Sequence, residues 1–256
     1  MVRGDLIRTI RSLLIEKPNL DGIIIETTGL ANPSPVIQTL VIDQVIGAQC
    51  WLDSVVCVVD AAHILEQLEQ NEDAADQIAF SDHVVLNKAN EASAAIESIE
   101  MRLRQINPFA PITRTNRSDV PASSVLDQRN FDLDRVEDQL LLELNEHGHH
   151  DHINRNGITS ITLTCDTPLD VDRLEEWLQE LLSRRGNDIL RTKGLMSIEN
   201  ENKKLVLQAV NMMIEGDFAG NWDAEPRRSR LVFIGRNLVS DQLRNGFLSC
   251  RSAVVS

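Results

Sequence analysis

The chain has 256 residues, enough for one large domain or two modest ones, and its 42% hydrophobic and 25% charged content excludes a wholly disordered, collagen-like or coiled-coil chain. The 25 Lys and Arg residues against 39 Asp and Glu leave a net charge of -14, which argues against nonspecific binding to nucleic acid or an anionic membrane. No apolar run approaches the roughly 20 residues of a membrane span, and the opening Met1 to Ile10 lacks a signal-peptide core, so the cytoplasm is the expected compartment.

Leu6, Ile7, Ile10, Leu13 and Leu14 recur at helical spacing and Pro18-Asn19 ends the pattern, which predicts a helix starting almost at Met1. Gly22-Ile23-Ile24-Ile25 has the continuous apolar character of a parallel strand buried on both faces. A helix is expected over Val36 to Ile46, with Ser34 as its cap and Pro35 at its first position. Strands over Ser54 to Val59 and His83 to Leu86, helices around Asp73 to Phe80 and Glu91 to Ile106, and a short strand over Pro111 to Thr115 complete an alternating pattern. Such alternation signals an α/β domain with a parallel sheet.

From Arg117 to about Asn156 the sequence turns polar and acidic, with Val136, Leu140, Leu141 and Leu144 marking a short helix. It reads as a linker ending in His147-Gly148-His149-His150-Asp151-His152. Beyond it, Ile161, Leu163 and Cys165 alternate with threonines as in a half-buried strand, and Asp170 caps a helix through Leu174, Leu178 and Leu182. Strands over Ile189 to Ile198, Leu205 to Met213 and Leu231 to Ile234, then a helix over Ser240 to Leu248, give the order βαβββα of an α+β layer with helices on one face.

The chemistry-bearing residues sit where strands end. Glu26-Thr27-Thr28-Gly29 leaves the first apolar run, at the place where open α/β sheets bind ligands. A carboxylate there can hold magnesium or a water, threonines can donate to phosphate, and Gly29 lets its N–H approach a γ-phosphate. A tight turn with a structural glutamate accounts for the same residues. Asn87-Lys88-Ala89-Asn90 follows another strand, where N-K-x-D loops read guanine because the aspartate accepts from the base N1 and N2 hydrogens. Asn90 in the fourth position keeps an acceptor but loses the charge that rewards two donors, and a helix-capping turn explains it equally well.

His147, His149, His150 and His152 place four imidazoles within six residues, a set suited to zinc, nickel or copper, or else a solvated polar loop. The four cysteines form no C-x-x-C pair; Cys57 and Cys165 are expected as buried thiols, and His63 and His83 as structural.

Taken in order, Val2-Arg3-Gly4-Asp5-Leu6, Glu26-Thr27-Thr28-Gly29-Leu30-Ala31-Asn32-Pro33, Val58-Val59-Asp60-Ala61 and Val84-Val85-Leu86-Asn87-Lys88 resemble landmarks of the CobW (CobW/HypB/UreG-like) family of metal-chaperone GTPases. Leu207-Gln208-Ala209-Val210, Trp222 and Arg230 to Arg236 resemble that family's C-terminal domain. The resemblance implies a P-loop GTPase using GTP with magnesium to deliver zinc or cobalt to a client protein, in cobalamin synthesis or zinc homeostasis, with self-association as a further expectation.

By the same resemblance, Glu26 and Gly29 are the catalytic-loop acid and γ-phosphate sensor, Thr27 and Thr28 contact phosphate, and Asn87, Lys88 and Asn90 hold the base. In that family a C-x-C-C motif lies just before V-R-x-D-L and the P-loop lies further upstream. The expected architecture is therefore a truncated P-loop GTPase domain over 1–118, lacking its first strand and P-loop, then a linker over 119–156 and an α+β domain over 157–250. Such a chain should hydrolyse GTP negligibly alone. The rival is a non-catalytic protein holding metal or a client through the histidine loop and second domain. An acidic α/β protein with no metal role is the third reading.

Overall fold

The computed structural model describes residues 2–129, 152–153, 157–210, 213–223 and 226–252. Helix α1 (Val2–Glu16) buries Ile10 and ends just before Lys17-Pro18, where proline forbids another turn. The Gly22–Ile25 run departs from expectation: it is not a strand, no strand pairs with it among the described residues, and Ile24 is 81% exposed. An apolar run becomes a buried strand only when neighbours satisfy its backbone groups on both edges.

The expected helix over Val36 to Ile46 is two helices, α2 (Ser34–Ile42) and α3 (Gln44–Gly47). The break lies at Asp43, whose ψ of 111° leaves the helical region and whose carboxylate accepts from the Val45 and Ile46 N–H groups. Ser34 is not the cap of α2. Pro33 occupies that position without a side-chain bond, and the Asn32 carboxamide oxygen accepts from the Ser34 N–H at 2.9 Å.

Strands β1 (Val56–Asp60), β2 (His83–Asn87) and β3 (Ile112–Arg114) form a parallel sheet in that order, with Asp60 opposite Asn87. Between β1 and β2 run α4 (Ile64–Gln70), which the apolar pattern had not revealed, and α5 (Glu72–Phe80). Asn71 divides them, its side chain accepting from the Asp73 N–H. Helix α6 (Ile96–Ile106) starts later than expected because residues 91–95 form turns. It leads to β3 through Asn107, which donates to the carbonyls of Ile78 and Ser81 and ties the end of α5 down.

In the former linker region a 3₁₀ turn spans Ala122–Ser124, while the helix expected around Val136 to Leu144 lies outside the described residues. The second sheet has the order β4-β5-β9-β6-β7-β8, all neighbours antiparallel. Its strands are β4 (His152–Ile153), β5 (Ile158–Cys165), β6 (Ile189–Ser197), β7 (Lys203–Val210), β8 (Met213–Asn221) and β9 (Ser229–Arg236). The single strand expected over Leu205 to Met213 is thus a hairpin, with Val210 opposite Met213.

Helices α7 (Val171–Arg185), capped by Asp170 as expected, and α8 (Ser240–Ser249) cover one face of that sheet through Leu174, Leu178, Leu243 and Phe247. The other face is not exposed. Ile158, Leu190, Val210 and Ile234 join Ile78, Phe80, Leu103 and Ile106 in one apolar cluster spanning both sheets. This is why β5 is more buried than alternation with threonine suggested: Ser160, on the same face as Ile158, is buried on the side of that cluster.

Polar groups reinforce this joint. Arg191 of β6 pairs with Asp82, both side chains 1% exposed, and donates to the carbonyls of Phe80 and Ser81. Lys193 of the same strand lies 5.6 Å from the Phe109 ring centroid. No helix of the described residues is long and apolar enough to cross a membrane.

Candidate functional site

Two loops carry the residues singled out by sequence. The first, Glu26 to Pro33, is held from α5. Gly29 has φ +61°, a left-handed value that costs a residue with a Cβ far more than glycine. The Gln77 carboxamide donates to the carbonyls of Gly29 and Ala31, each at 2.9 Å, fixing the turn. Asn32 donates to Asp76 Oδ2 at 2.8 Å, and Asp76 Oδ1 forms an ion pair with Arg236 Nη2 at 2.6 Å. Burial raises the Asp76 pKa; Arg236 opposes this, while the neighbouring carboxylates of Asp73 and Glu72 add to it. Glu26, Thr27 and Thr28 are brought to the same loop, with Glu26 and Thr28 exposed and none of the three side chains bonded to a described residue.

The second loop, Asn87 to Asn90, leaves the C-terminal end of β2. Lys88 takes φ +57°, and its Nζ lies 2.7 Å from Asp60 Oδ2 at the end of the adjacent β1. His63 Nδ1 approaches the same oxygen at 3.1 Å, and Asp60 Oδ1 accepts from the Ala62 N–H. Burial pushes the Asp60 pKa up, but the hydrogen bonds from Lys88, His63 and Ala62 outweigh it and hold the carboxyl below its ordinary value. Lys88 is correspondingly raised by Asp60.

The loop after β3 completes this cluster. Asn87 Oδ1 accepts from the Ser118 N–H at 2.9 Å, and Asn116 Oδ1 accepts from the Asn90 N–H at 3.1 Å. Ala89 donates its N–H to the Thr115 carbonyl at 3.1 Å. Arg117 and Ser118 adopt φ +58° and +54°, an uncommon pair of left-handed residues without glycine. The structure thus joins Asn87, Lys88 and Asn90 with Asp60, His63 and residues 115–118.

Sequence reading gave several of these partners no role in the site. Asp60 had the available signal, an acidic residue ending a buried strand next to the N-K loop, whereas Thr115 to Ser118 are polar residues of no periodicity. His63, expected as structural, has a side chain that is 59% exposed and belongs to the Asp60 cluster. His83, in contrast, is buried and bonds Thr113 Oγ1 at 2.9 Å.

Of the histidine cluster, His147, His149 and His150 lie outside the described residues, and the backbone of His152 pairs with Ser160 in the second sheet. Among the described residues no group of three or more His, Cys, Asp or Glu is arranged to hold a metal ion. Cys57, Cys165 and Cys250 are buried, and burial pushes the Cys57 thiol up to about 12, far from a reactive thiolate.

Comparison with known proteins follows the same division. Residues 1–114 match the CobW/HypB/UreG nucleotide-binding domain and residues 158–251 the cobalamin synthesis protein cobW C-terminal domain. The chain is 30% identical over 239 residues to the zinc chaperone YjiA of Escherichia coli, covering 93% of this chain and 74% of that protein. It is 31% identical to the zinc chaperone CobW of Pseudomonas aeruginosa, covering 95% of this chain and 71% of that one. With the zinc-regulated GTPase metalloprotein activator 1 of Saccharomyces cerevisiae the identity is 26%, and the match spans 64% of that protein's length. The crystal structure of zinc-bound YjiA GTPase superposes with a TM-score of 0.82 at 28% identity, over 95% of this chain and 75% of that one, a likeness consistent with a P-loop NTPase fold in the first half.

Proposed function

The chain belongs to the CobW/HypB/UreG family, and from that footing we propose that it serves GTP-dependent delivery of zinc, or of cobalt, to a client protein in the cytoplasm. The observation that carries the nucleotide part is the Asn87–Asn90 loop, locked to Asp60 on one side and to Ser118 on the other at the C-terminal edge of the parallel sheet. On this reading Asn87, Lys88 and Asn90 would hold the base, and Glu26, Thr27, Thr28 and Gly29 would be the residues nearest the phosphates and magnesium.

These residues fit a nucleotide at its base end and not at its phosphate end. The 256 residues include no G-x-x-x-x-G-K-[ST] sequence, so the lysine and the cradle of N–H groups that grip β- and γ-phosphates are not among them. Glu26 and Thr28 are exposed side chains with no bonded neighbour among the described residues to aim them. The 256-residue chain alone therefore turns GTP over negligibly. Turnover at a rate comparable with a full-length relative, abolished by Asn87→Ala, would overturn that statement.

The metal is cargo, and His147, His149, His150 and His152 are its collecting ligands. Affinity is modest because four side chains must give up their rotamer freedom around the ion. Zinc calorimetry at neutral pH tests this: replacing all four histidines with alanine should remove the binding, and unchanged binding would remove the cluster from the account. The exposed Glu26 and Thr28 favour a second reading, a non-catalytic protein that binds metal or client through the histidine segment and second sheet. GTP binding that leaves zinc affinity unaltered would support it over a GTP-controlled chaperone.

A further inference from the structure

The hydrogen-bonding groups left over in the Asn87–Asn90 loop are not those that suit guanine. Asn87 has its oxygen occupied by the Ser118 N–H at 2.9 Å, so its amide nitrogen is the group left for a ligand. Lys88 is held at its tip by Asp60, which leaves its aliphatic stem as an apolar surface. Asn90 spends its backbone N–H on Asn116 Oδ1, which fixes the residue in the loop. Its carboxamide is exposed and bonds no described residue.

Resting on the reading of this loop as the base-binding element but not on guanine as its base, we propose that it favours a 2,6-dioxopurine and binds xanthosine nucleotides more tightly than guanosine ones, which would make xanthosine triphosphate a better ligand of the loop than the GTP named above. Guanine offers two donors side by side, N1–H and the 2-amino group, and a carboxylate accepts both. A carboxamide has one acceptor and one donor to present. Against guanine the Asn90 nitrogen always meets a donor, the 2-amino group in one orientation of the amide and the N1–H in the other.

Xanthine keeps the N1–H but carries an oxygen at C2, so one donor and one acceptor meet the Asn90 oxygen and nitrogen in matched order. The Asn87 nitrogen supplies the remaining discrimination. It donates to N7 and the C6 oxygen, which xanthine and guanine share, and opposes the 6-amino group of adenine.

The test titrates the full chain with the 5′-triphosphates of xanthosine, guanosine, inosine and adenosine in the presence of magnesium, following heat and the side-chain amide resonances of Asn87 and Asn90. The xanthosine nucleotide should bind about tenfold more tightly than the guanosine nucleotide. Asn90→Asp, on an exposed side chain, should reverse that order. A wild type that prefers guanosine or adenosine, or an unchanged order in the variant, overturns the inference while leaving the base-binding role of the loop in place. Binding of no nucleotide at all overturns both.

Discussion

Arg236, on the last strand of the second sheet, forms a 2.6 Å ion pair with Asp76 of α5, whose other oxygen accepts from Asn32 in the Glu26 to Pro33 loop. One buried carboxylate thus ties the loop to the second sheet, and Gln77 beside it holds Gly29 and Ala31. Replacing Arg236 with methionine should leave Asp76 buried and unpaired, lowering stability by about 1.5 to 3 kcal/mol. The sharper consequence is distant: amide exchange at 29–32 should accelerate, although Arg236 forms no hydrogen bond or ion pair with that loop. Mass-spectrometric exchange that speeds up in β9 alone would break the link.

Arg191 and Asp82 form the other polar joint between the two sheets, and here the burial is nearly complete on both sides. Desolvating two charges is costly, so the pair is weak evidence of net stabilisation, but removing one member strands the other. Arg191→Met should lower stability by about 3 to 5 kcal/mol, since Asp82 and the Phe80 and Ser81 carbonyls lose a shared donor. The double replacement Arg191→Met with Asp82→Asn should recover part of that loss. Urea denaturation of the three proteins measures both effects.

The features legible in sequence were those that local pattern determines. β2 and α7 declared themselves through an unbroken apolar run and a helical stripe behind Asp170. Ile23 to Ile25 carried an equally apolar signal and formed no strand, because pairing is supplied by neighbours that a local run does not contain. β8 escaped notice because Glu215, Gly216, Asp217 and Gly220 dilute its pattern, yet β7 pairs along its length. In the candidate site, Asn87 and Lys88 were visible as a motif. Asp60 was visible as a family landmark but not as their partner, and Asn116 and Ser118 were not visible, since only the parallel register brings those strand ends together.

His83 gives the fold a predictable response to acid. Burial lowers its pKa from the ordinary histidine value, so the folded protein holds a neutral ring bonded to Thr113. Between the folded and unfolded pKa values the unfolded chain binds more protons, and stability rises with pH. The contribution is complete above about pH 6.5 and is lost as pH falls through the depressed folded value. Chemical denaturation from about pH 7 to about pH 5 should therefore show a loss of stability that His83→Gln diminishes. Equal pH dependence in the two proteins would mean that the ring accepts a proton without disturbing the sheet.

Gly246 of α8 sets a contest between helix propensity and packing. An alanine in a helix interior is ordinarily favoured over glycine by about 0.5 to 1 kcal/mol. Here a Cβ would run into the Trp177 indole, overlapping its Nε1 and lying 2.8 Å from Cε2 and 2.9 Å from Cδ1. The indole is flanked by two rings, lying 6.1 Å from that of Phe233, edge to face, and 6.0 Å from that of Phe247. Overpacking of a filled contact costs about 1 to 3 kcal/mol, which exceeds the propensity gain. Gly246→Ala should thus destabilise the protein and shift Trp177 fluorescence, both readable in one urea titration. A variant more stable than the wild type would mean that α7 and α8 can separate without loss, and that the closeness of Trp177 to Gly246 is not what fixes their spacing.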